Sequence, residues 1–77
     1  MIAYHGTTQE NAKQIRKTGF RAKTYFAFER VNAEKFGGPI IFTVEFSDDP
    51  KMWHGESDGW QFWIRESLGP EMIKDGQ

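Results

Sequence analysis

The sequence predicts an α+β domain in which two short helices pack against a small β-sheet. Three observations support this fold class. First, segments in which every second residue is apolar, as in a β-strand, recur along the chain. Second, two segments with helical character lie between the first three of these strand segments. Third, Gly or Pro residues separate the segments from one another. A chain of 77 residues buries only about 60–65% of the surface of its unfolded form, so residues 1–77 are expected to form one small domain.

The core of this domain is expected to depend on aromatic side chains. The chain has no cysteine, which excludes disulfide bonds and cysteine-ligated zinc. It has seven Phe, three Trp and two Tyr, and each large ring buries on the order of 150–250 Å². Aromatic packing therefore takes the place of cross-links.

The first predicted strand begins at Met1 and leads into His5, Gly6 and Thr7. A histidine at a strand end, a glycine that allows close backbone approach and the start of a helix together form a plausible ligand cradle. The same residues also fit an ordinary structural turn, so both interpretations stay open at this point.

The first predicted helix runs from Thr8 to Thr18. Thr7 and Glu10 have the spacing of a capping box, in which the hydroxyl accepts from one amide and the carboxylate reaches back to another. Gly19 stands where a C-terminal cap is expected. The narrow apolar stripe of this helix predicts that it lies on the surface of the sheet.

The middle of the chain predicts two strands around a second helix. Residues 24–28 are β-branched and aromatic, with odd-numbered side chains on one face and even-numbered ones on the other. Residues 29–36 form a short helix that Gly37, Gly38 and Pro39 end. Residues 40–46 alternate most clearly, with the even-numbered apolar side chains on one face.

The last third of the chain predicts a loop, one strand and a short terminal strand. Residues 51–59 are polar and contain two glycines, which is typical of a functional or mobile loop. Residues 61–65 form a strand with Phe62 and Ile64 on one face. Residues 71–73 are expected to add a short strand, and residues 75–77 to fray.

Charge is unevenly distributed, although the formal net charge is only −1. Residues 13–23 carry five basic side chains and no acidic one, whereas residues 45–58 carry five acidic side chains. The basic group fits either a solvated helix end or a docking site for phosphate, from a dinucleotide or from a nucleic acid.

Membrane and metal partners are not expected. No apolar run approaches the roughly 18–20 residues of a membrane span, and the N-terminus lacks a signal pattern, which indicates a cytoplasmic protein. The two histidines, His5 and His54, have no other ligand-type residue at a metal-binding spacing.

The order of these motifs resembles the ADP-ribosyltransferase superfamily, in its diphtheria-toxin-like His-Tyr-Glu branch. The family opens with a strand that ends in His-Gly-Thr and continues with an Asn-Ala-x-x-Ile-x-x-x-Gly helix. A Tyr-Phe-Ala strand and an Ala-x-x-Phe-Gly helix follow. The matching residues of this chain are His5, Gly6, Thr7, Asn11, Ala12, Ile15, Gly19, Tyr25, Phe26, Ala27, Ala33, Phe36 and Gly37.

This resemblance implies a split antiparallel or mixed sheet whose cleft holds NAD. It implies that His5 hydrogen-bonds a ribose, that the Gly6 backbone holds the nicotinamide amide and that the Tyr25 ring stacks on the nicotinamide. Thr7 and Phe36 are further candidates for cofactor binding. His5 and Tyr25, together with Gln61, are the candidate catalytic residues.

Gln61 stands where the family has a catalytic glutamate. Its amide can bind a hydroxyl, but it carries no charge and cannot act as a base. Glu56 or Asp58, in the preceding loop, could supply the missing charge.

Three functional hypotheses follow. The first is an NAD-dependent mono-ADP-ribosyltransferase that modifies a protein or nucleic-acid acceptor. The second is an inactive binding module on the same fold, such as a small phage-encoded inhibitor of the anti-CRISPR type. It would hold NAD or an ADP-ribose fragment, or use Trp53, Trp60 and Trp63 as an interface. The third is a small α+β domain unrelated to NAD.

Overall fold

The computed structural model describes residues 1–76. The predicted α+β class is confirmed, because this part of the chain forms six strands, two α-helices and one 3₁₀ turn. In chain order the elements are β1 (Ile2–Thr7), α1 (Gln9–Thr18), β2 (Tyr25–Ala27), α2 (Arg30–Phe36), β3 (Ile40–Glu45), β4 (Trp53–Gly55), β5 (Gln61–Ile64), the 3₁₀ turn (Pro70–Met72) and β6 (Ile73–Gly76).

The strands form one sheet in the order β4-β5-β2-β1-β3-β6, and all neighbouring strands are antiparallel. β1 pairs with β3 along its whole length. Within the described residues, β1 pairs with β2 only where Tyr4 faces Ala27. The sheet therefore opens between β1 and β2 beyond this pair, toward His5.

The two helices pack on opposite faces of the sheet. Ala12 and Ile15 of α1 belong to the main core, with Phe42 and Val44 from β3. Ala33 of α2 belongs to a smaller cluster on the other face, with Ala27 and Ile41. The alternation predicted for residues 40–46 is confirmed, since even-numbered side chains face α1 and Ile41 faces α2.

Aromatic rings fill the main core, as predicted. Phe62 has no exposed surface, and its ring centroid lies 4.7 to 5.8 Å from those of four other aromatic residues. These residues are Phe26, Phe28, Phe46 and Trp53. Tilted and stacked contacts of this kind add to the free energy gained from burial alone.

The prediction that Thr7 caps α1 is wrong. Thr8 is the N-cap, and its hydroxyl accepts from the amide nitrogen of Asn11 at 3.2 Å. Thr7 is buried and pairs with Ile40, so the sheet ladder continues one residue further than the capping pattern implies. The predicted cap at Gly19 is confirmed by its positive φ of 82° and by its N–H donation to the Ile15 carbonyl at 2.8 Å.

The prediction of an irregular loop over residues 51–59 is also wrong in part, because β4 lies within it. Trp53 stabilises this strand, because its ring packs against Phe28 and Phe62, with ring centroids 5.7 and 5.1 Å away. That contact brings the backbone into register with β5. A tryptophan in a polar segment was the only sequence signal for it.

The C-terminal segment also differs from prediction. Pro70–Met72 is a 3₁₀ turn, and the final strand begins only at Ile73 and pairs with β3. Residues 75 and 76, which were expected to fray, continue that strand, because β3 offers them a free edge. Gln77 lies outside the described residues.

None of the helices in the described part of the chain has the length and apolar character needed to span a bilayer.

Candidate functional site

A cavity of about 250 Å³ opens on the α2 side of the sheet, where β1 and β2 separate. This volume is below the roughly 300–1,000 Å³ of pockets that enclose a whole drug-sized ligand. The cavity therefore suits one ring system of a larger ligand. Its lining comes from Tyr4, His5, Gly6, Tyr25, Phe26, Ala27, Asn32, Ala33, Phe36, Gly37, Trp60 and Gln61.

Five of the six predicted site residues line this cavity. They come from three strands and one helix: His5, Gly6, Tyr25, Phe36 and Gln61. Thr7 does not line it; its side chain is on the α1 side of β1, as is that of His5, and both residues border a second cavity there. The structure thus brings His5 and Tyr25 together across the opening of the sheet, while the roles assigned to them stay predictions.

His5 is held in one orientation by the backbone of β2. Its Nδ1–H donates to the carbonyl oxygen of Tyr25 at 2.7 Å, and its ring packs against Phe20 and Phe26 at 5.4 and 5.5 Å. Because Nδ1 carries the proton, Nε2 is a free acceptor in the neutral ring. Burial lowers the pKa of His5, against the opposing effect of the Tyr25 carbonyl. The imidazole is therefore neutral at pH 7 and suited to accept from a hydroxyl.

The lowered pKa of His5 is expected to make stability depend on pH. The unfolded chain takes up this proton near pH 6.5, whereas the native imidazole takes it up only at lower pH. The contribution of His5 to the free energy of unfolding is therefore fully present above about pH 6.5, and it is lost as the pH falls below this value. Urea unfolding between about pH 7.5 and 5 measures this decrease. His5→Gln is expected to lessen it and His54→Gln to retain it, and equal slopes in all three proteins contradict the assignment.

Tyr25 presents its ring at the mouth of the cavity, where it is 46% exposed. Its hydroxyl donates to Glu56 Oε1 at 3.4 Å. Desolvation raises the pKa of Tyr25, and the negative charges of Glu56 and Asp58 raise it further. The phenol therefore stays protonated at neutral pH, and its ring face is free to stack on a planar ligand.

Gln61 is oriented by a carboxylate of the β4–β5 turn. Its Nε2 donates to Asp58 Oδ2 at 2.7 Å, while Asp58 Oδ1 accepts from the Trp60 amide at 3.2 Å. The amide oxygen of Gln61 is left as the acceptor of this side chain. Glu56 and Asp58 thus contact residues of the cavity wall, although neither belongs to the lining.

Trp60 was not predicted as a residue of this site. Its ring stacks on Phe36 at 4.9 Å with an interplanar angle of 30°, and Phe36 itself is 61% exposed. The two rings extend the aromatic wall that Tyr25 begins. From the sequence, Trp60 was a candidate interface residue together with Trp53 and Trp63, and not a residue of this cavity.

Packing requires a glycine at position 6, in addition to the ligand role predicted for Gly6. A Cβ at Gly6 would collide with the Ala33 carbonyl oxygen, and a Cβ at Gly37 would lie 2.6 Å from Gly6 Cα. The backbones of β1 and α2 therefore meet where both residues are glycine. This contact sets the distance between the helix and the strand, and with it the width of the cavity.

A second cavity of about 300 Å³ lies on the α1 side of the sheet. His5 borders both cavities, and its imidazole packs on the α1-side rings of Phe20 and Phe26. The polar side chains around the second cavity are Thr7, Asn11, Gln14, Thr18, Arg21 and Thr24. Hydroxyl, amide and guanidinium groups of this kind suit a ligand with hydroxyls and negative charge.

The described residues contain no group of three or more His, Asp or Glu side chains that could hold a metal ion. In comparisons with known proteins, no family model and no curated protein matched the chain. The site is therefore interpreted from its own geometry.

Proposed function

We propose that the chain binds NAD in the cavity between His5 and Tyr25 and acts as a small mono-ADP-ribosyltransferase on a protein or nucleic-acid acceptor. One observation carries this proposal: His5 and Tyr25, twenty positions apart in the sequence, border the same cavity, and the neutral imidazole of His5 is hydrogen-bonded to the Tyr25 carbonyl. A planar, hydroxyl-bearing ligand is what such a pair can bind.

Each residue then has a defined task. The Tyr25 ring stacks on the nicotinamide, and His5 Nε2 accepts a hydrogen bond from a ribose hydroxyl. The Gln61 amide oxygen accepts from the ribose next to the bond that breaks. The polar second cavity, with Arg21 on its wall, receives the charged remainder of the dinucleotide on the far side of His5.

The proposed reaction is a substitution at the anomeric carbon of the ribose. The bond from this carbon to the nicotinamide nitrogen breaks, and its electron pair leaves with the nicotinamide, which becomes neutral. The acceptor forms the new bond and releases a proton to solvent. Positive charge develops on the ribose in between, and a preorganised negative potential stabilises it.

A second function is favoured by Gln61. A neutral amide at this position gives the developing charge much less stabilisation than a carboxylate does. This supports a binding module that holds NAD or an ADP-ribose fragment without turnover, in the manner of a small phage-encoded inhibitor of the anti-CRISPR type. Nicotinamide release from NAD distinguishes the two functions, because only the transferase produces it.

Calorimetric titration with NAD tests the binding on which both functions depend. Tyr25→Ala is expected to weaken binding about tenfold to a hundredfold, since stacking on an aromatic ring is worth roughly 1–3 kcal/mol per base. Tyr25→Phe keeps the ring and is the matched control, with affinity close to wild type. Absence of binding by the wild-type chain, or equal affinity of Tyr25→Ala and wild type, contradicts the proposal.

A further inference from the structure

Three rings form a row across β2, β5 and β4 on the face of the sheet that is opposite the main core. Trp63 faces Tyr25 on one side and His54 on the other in the strand register. Neighbouring strands are about 4.8 Å apart, so this aromatic row spans roughly 10 Å. His54 and Trp63 lie with ring centroids 5.1 Å apart and planes 36° from parallel.

The aromatic row is open to solvent. Helix α2 packs against β1, β2 and β3, so it covers the other half of this face. Tyr25 and His54 are exposed and Trp63 is half-buried. Large rings in register on an uncovered sheet surface offer flat stacking positions to a ligand.

Three basic residues lie along one border of the aromatic row, at the same end of strands β2, β4 and β5. Lys23 precedes β2, Lys51 precedes β4 and Arg65 follows β5, and the antiparallel pairing places all three at the same edge. Backbone bonds confirm the adjacency: the Lys23 N–H donates to the Ile64 carbonyl at 2.7 Å, and the Arg65 N–H donates to the Met52 carbonyl at 3.0 Å.

This basic edge, consisting of Lys23, Lys51 and Arg65, is available for a charged partner. All three side chains are exposed, and across residues 1–76 none of them forms an ion pair with a carboxylate. The Arg65 guanidinium carbon lies 5.4 Å from the Trp63 ring centroid, so the edge reaches over the aromatic row. The carboxylates of Glu56 and Asp58 belong to the β4–β5 turn, at the other end of the strands. Two further acidic residues, Asp49 and Glu66, stand beside Lys51 and Arg65 in the chain, and Asp49 Oδ1 accepts from the Lys51 N–H at 3.0 Å.

Lys23 holds a backbone conformation that lysine rarely adopts. Its φ is 71°, in the left-handed region, which is unfavourable for a residue other than glycine. Its N–H bond to Ile64 fixes this conformation. Strain of this kind often marks a residue with a function, and here it places a cation beside the ends of β2 and β5.

We propose that the aromatic row and the basic edge together bind single-stranded nucleic acid. Bases stack on Tyr25, Trp63 and His54, and backbone phosphates lie along the basic edge. Proteins that bind single strands combine stacking rings with a cationic track in this way. The acidic β4–β5 turn repels phosphate, so the strand backbone is held to the opposite edge.

The proposed surface is continuous with the cavity. Tyr25 belongs to the aromatic row and also lines the cavity mouth, so a bound strand brings one nucleotide next to the site of ADP-ribose transfer. Nucleic acid is then the acceptor. This last step rests on the proposed function, whereas the binding of the strand does not.

Fluorescence anisotropy with labelled oligo-dT and oligo-U tests the surface in the absence of NAD. Strands of about 10 nucleotides fall within the roughly 4–16 that comparable sites cover. Trp63→Ala is expected to weaken binding about tenfold to a hundredfold. His54→Ala, at an exposed position that does not endanger the fold, is expected to weaken it severalfold.

Charge reversal tests the basic edge. Lys51→Glu with Arg65→Glu is expected to weaken binding more than tenfold and to reduce the slope of log K against log salt by about 1.4, as for two phosphate contacts. The matched control is Lys13→Glu with Lys17→Glu on the exposed surface of α1. This double variant is expected to change only the long-range electrostatic attraction between the protein and the nucleic acid.

Four results overturn the proposal. They are no binding of either strand by the wild-type chain, unchanged binding by Trp63→Ala and His54→Ala, an equal loss in the α1 control, and capture of a protein partner by this surface without any nucleic-acid binding. Because NAD is absent, failure here leaves the calorimetric result for NAD unaffected. The two proposals therefore fail separately.

Discussion

Replacing Gln61 with glutamate is expected to accelerate nicotinamide release from NAD by up to about a thousandfold. Gln61 lines the cavity at its ribose side in the proposed binding mode. A carboxylate about 4 Å from a developing unit charge contributes roughly 4 kcal/mol at an effective dielectric constant near 20. That free energy corresponds to about three orders of magnitude in rate. Measurement of nicotinamide release under saturating NAD isolates the chemical step.

The neighbouring Asp58 requires a matched variant. Its Oδ2 accepts from Gln61 Nε2 at 2.7 Å, so a glutamate at position 61 would meet a carboxylate of like charge. Gln61→Glu with Asp58→Asn restores the hydrogen bond with one charge and is expected to show the largest acceleration. Asp58→Asn alone is the control. If the double variant binds NAD but releases nicotinamide no faster than wild type, the proposed place of Gln61 in the reaction is wrong.

Replacing Phe62 with alanine is expected to lower the free energy of unfolding by about 3–5 kcal/mol. Phe62 has no exposed surface and contacts four other aromatic rings, so the surrounding core cannot collapse without moving all of them. At about 0.05–0.15 kcal/mol per residue, a chain of this length has roughly 4–12 kcal/mol of stability in total. Urea denaturation measures the loss.

Phe36→Ala is the matched control for this change. Phe36 is 61% exposed and stacks only on Trp60 among the described aromatic rings, so its truncation is expected to cost no more than about 1 kcal/mol. If the two variants lose similar stability, Phe62 is not at the centre of the core.

The parts of the fold that could be predicted are those that local physical chemistry determines. Strand β3 alternates apolar residues at a period of two, and Gly19 supplies a left-handed cap that other residues disfavour. Strand β4 could not be predicted in the same way, because it forms through the long-range packing of Trp53 on Phe28 and Phe62. The ladder that carries Thr7 into β1 is likewise a tertiary effect.

The same distinction applies to the candidate site. His5 and Tyr25 were chosen from the order of motifs, and the structure places both on one cavity. The contacts of Glu56 with Tyr25 and of Asp58 with Gln61 depend on how the β4–β5 turn folds over the cavity mouth. Asp58-Gly59 is a local turn signal, and Gly59 has a φ of 81°. No local pattern, however, specifies which cavity residues the turn contacts. The α1-side position of the Thr7 side chain, which it shares with the side chains of Ala3 and His5, follows from strand alternation once β1 is known to extend through it.

The most direct test of the central proposal is an NMR measurement of contacts between NAD and the wild-type chain. Binding between His5 and Tyr25 is expected to give nuclear Overhauser effects from the nicotinamide ring protons to the Tyr25 ring and shift changes at the Gly6 amide. Contacts of the nicotinamide with residues outside this cavity, or no shift change at saturating NAD, would contradict it.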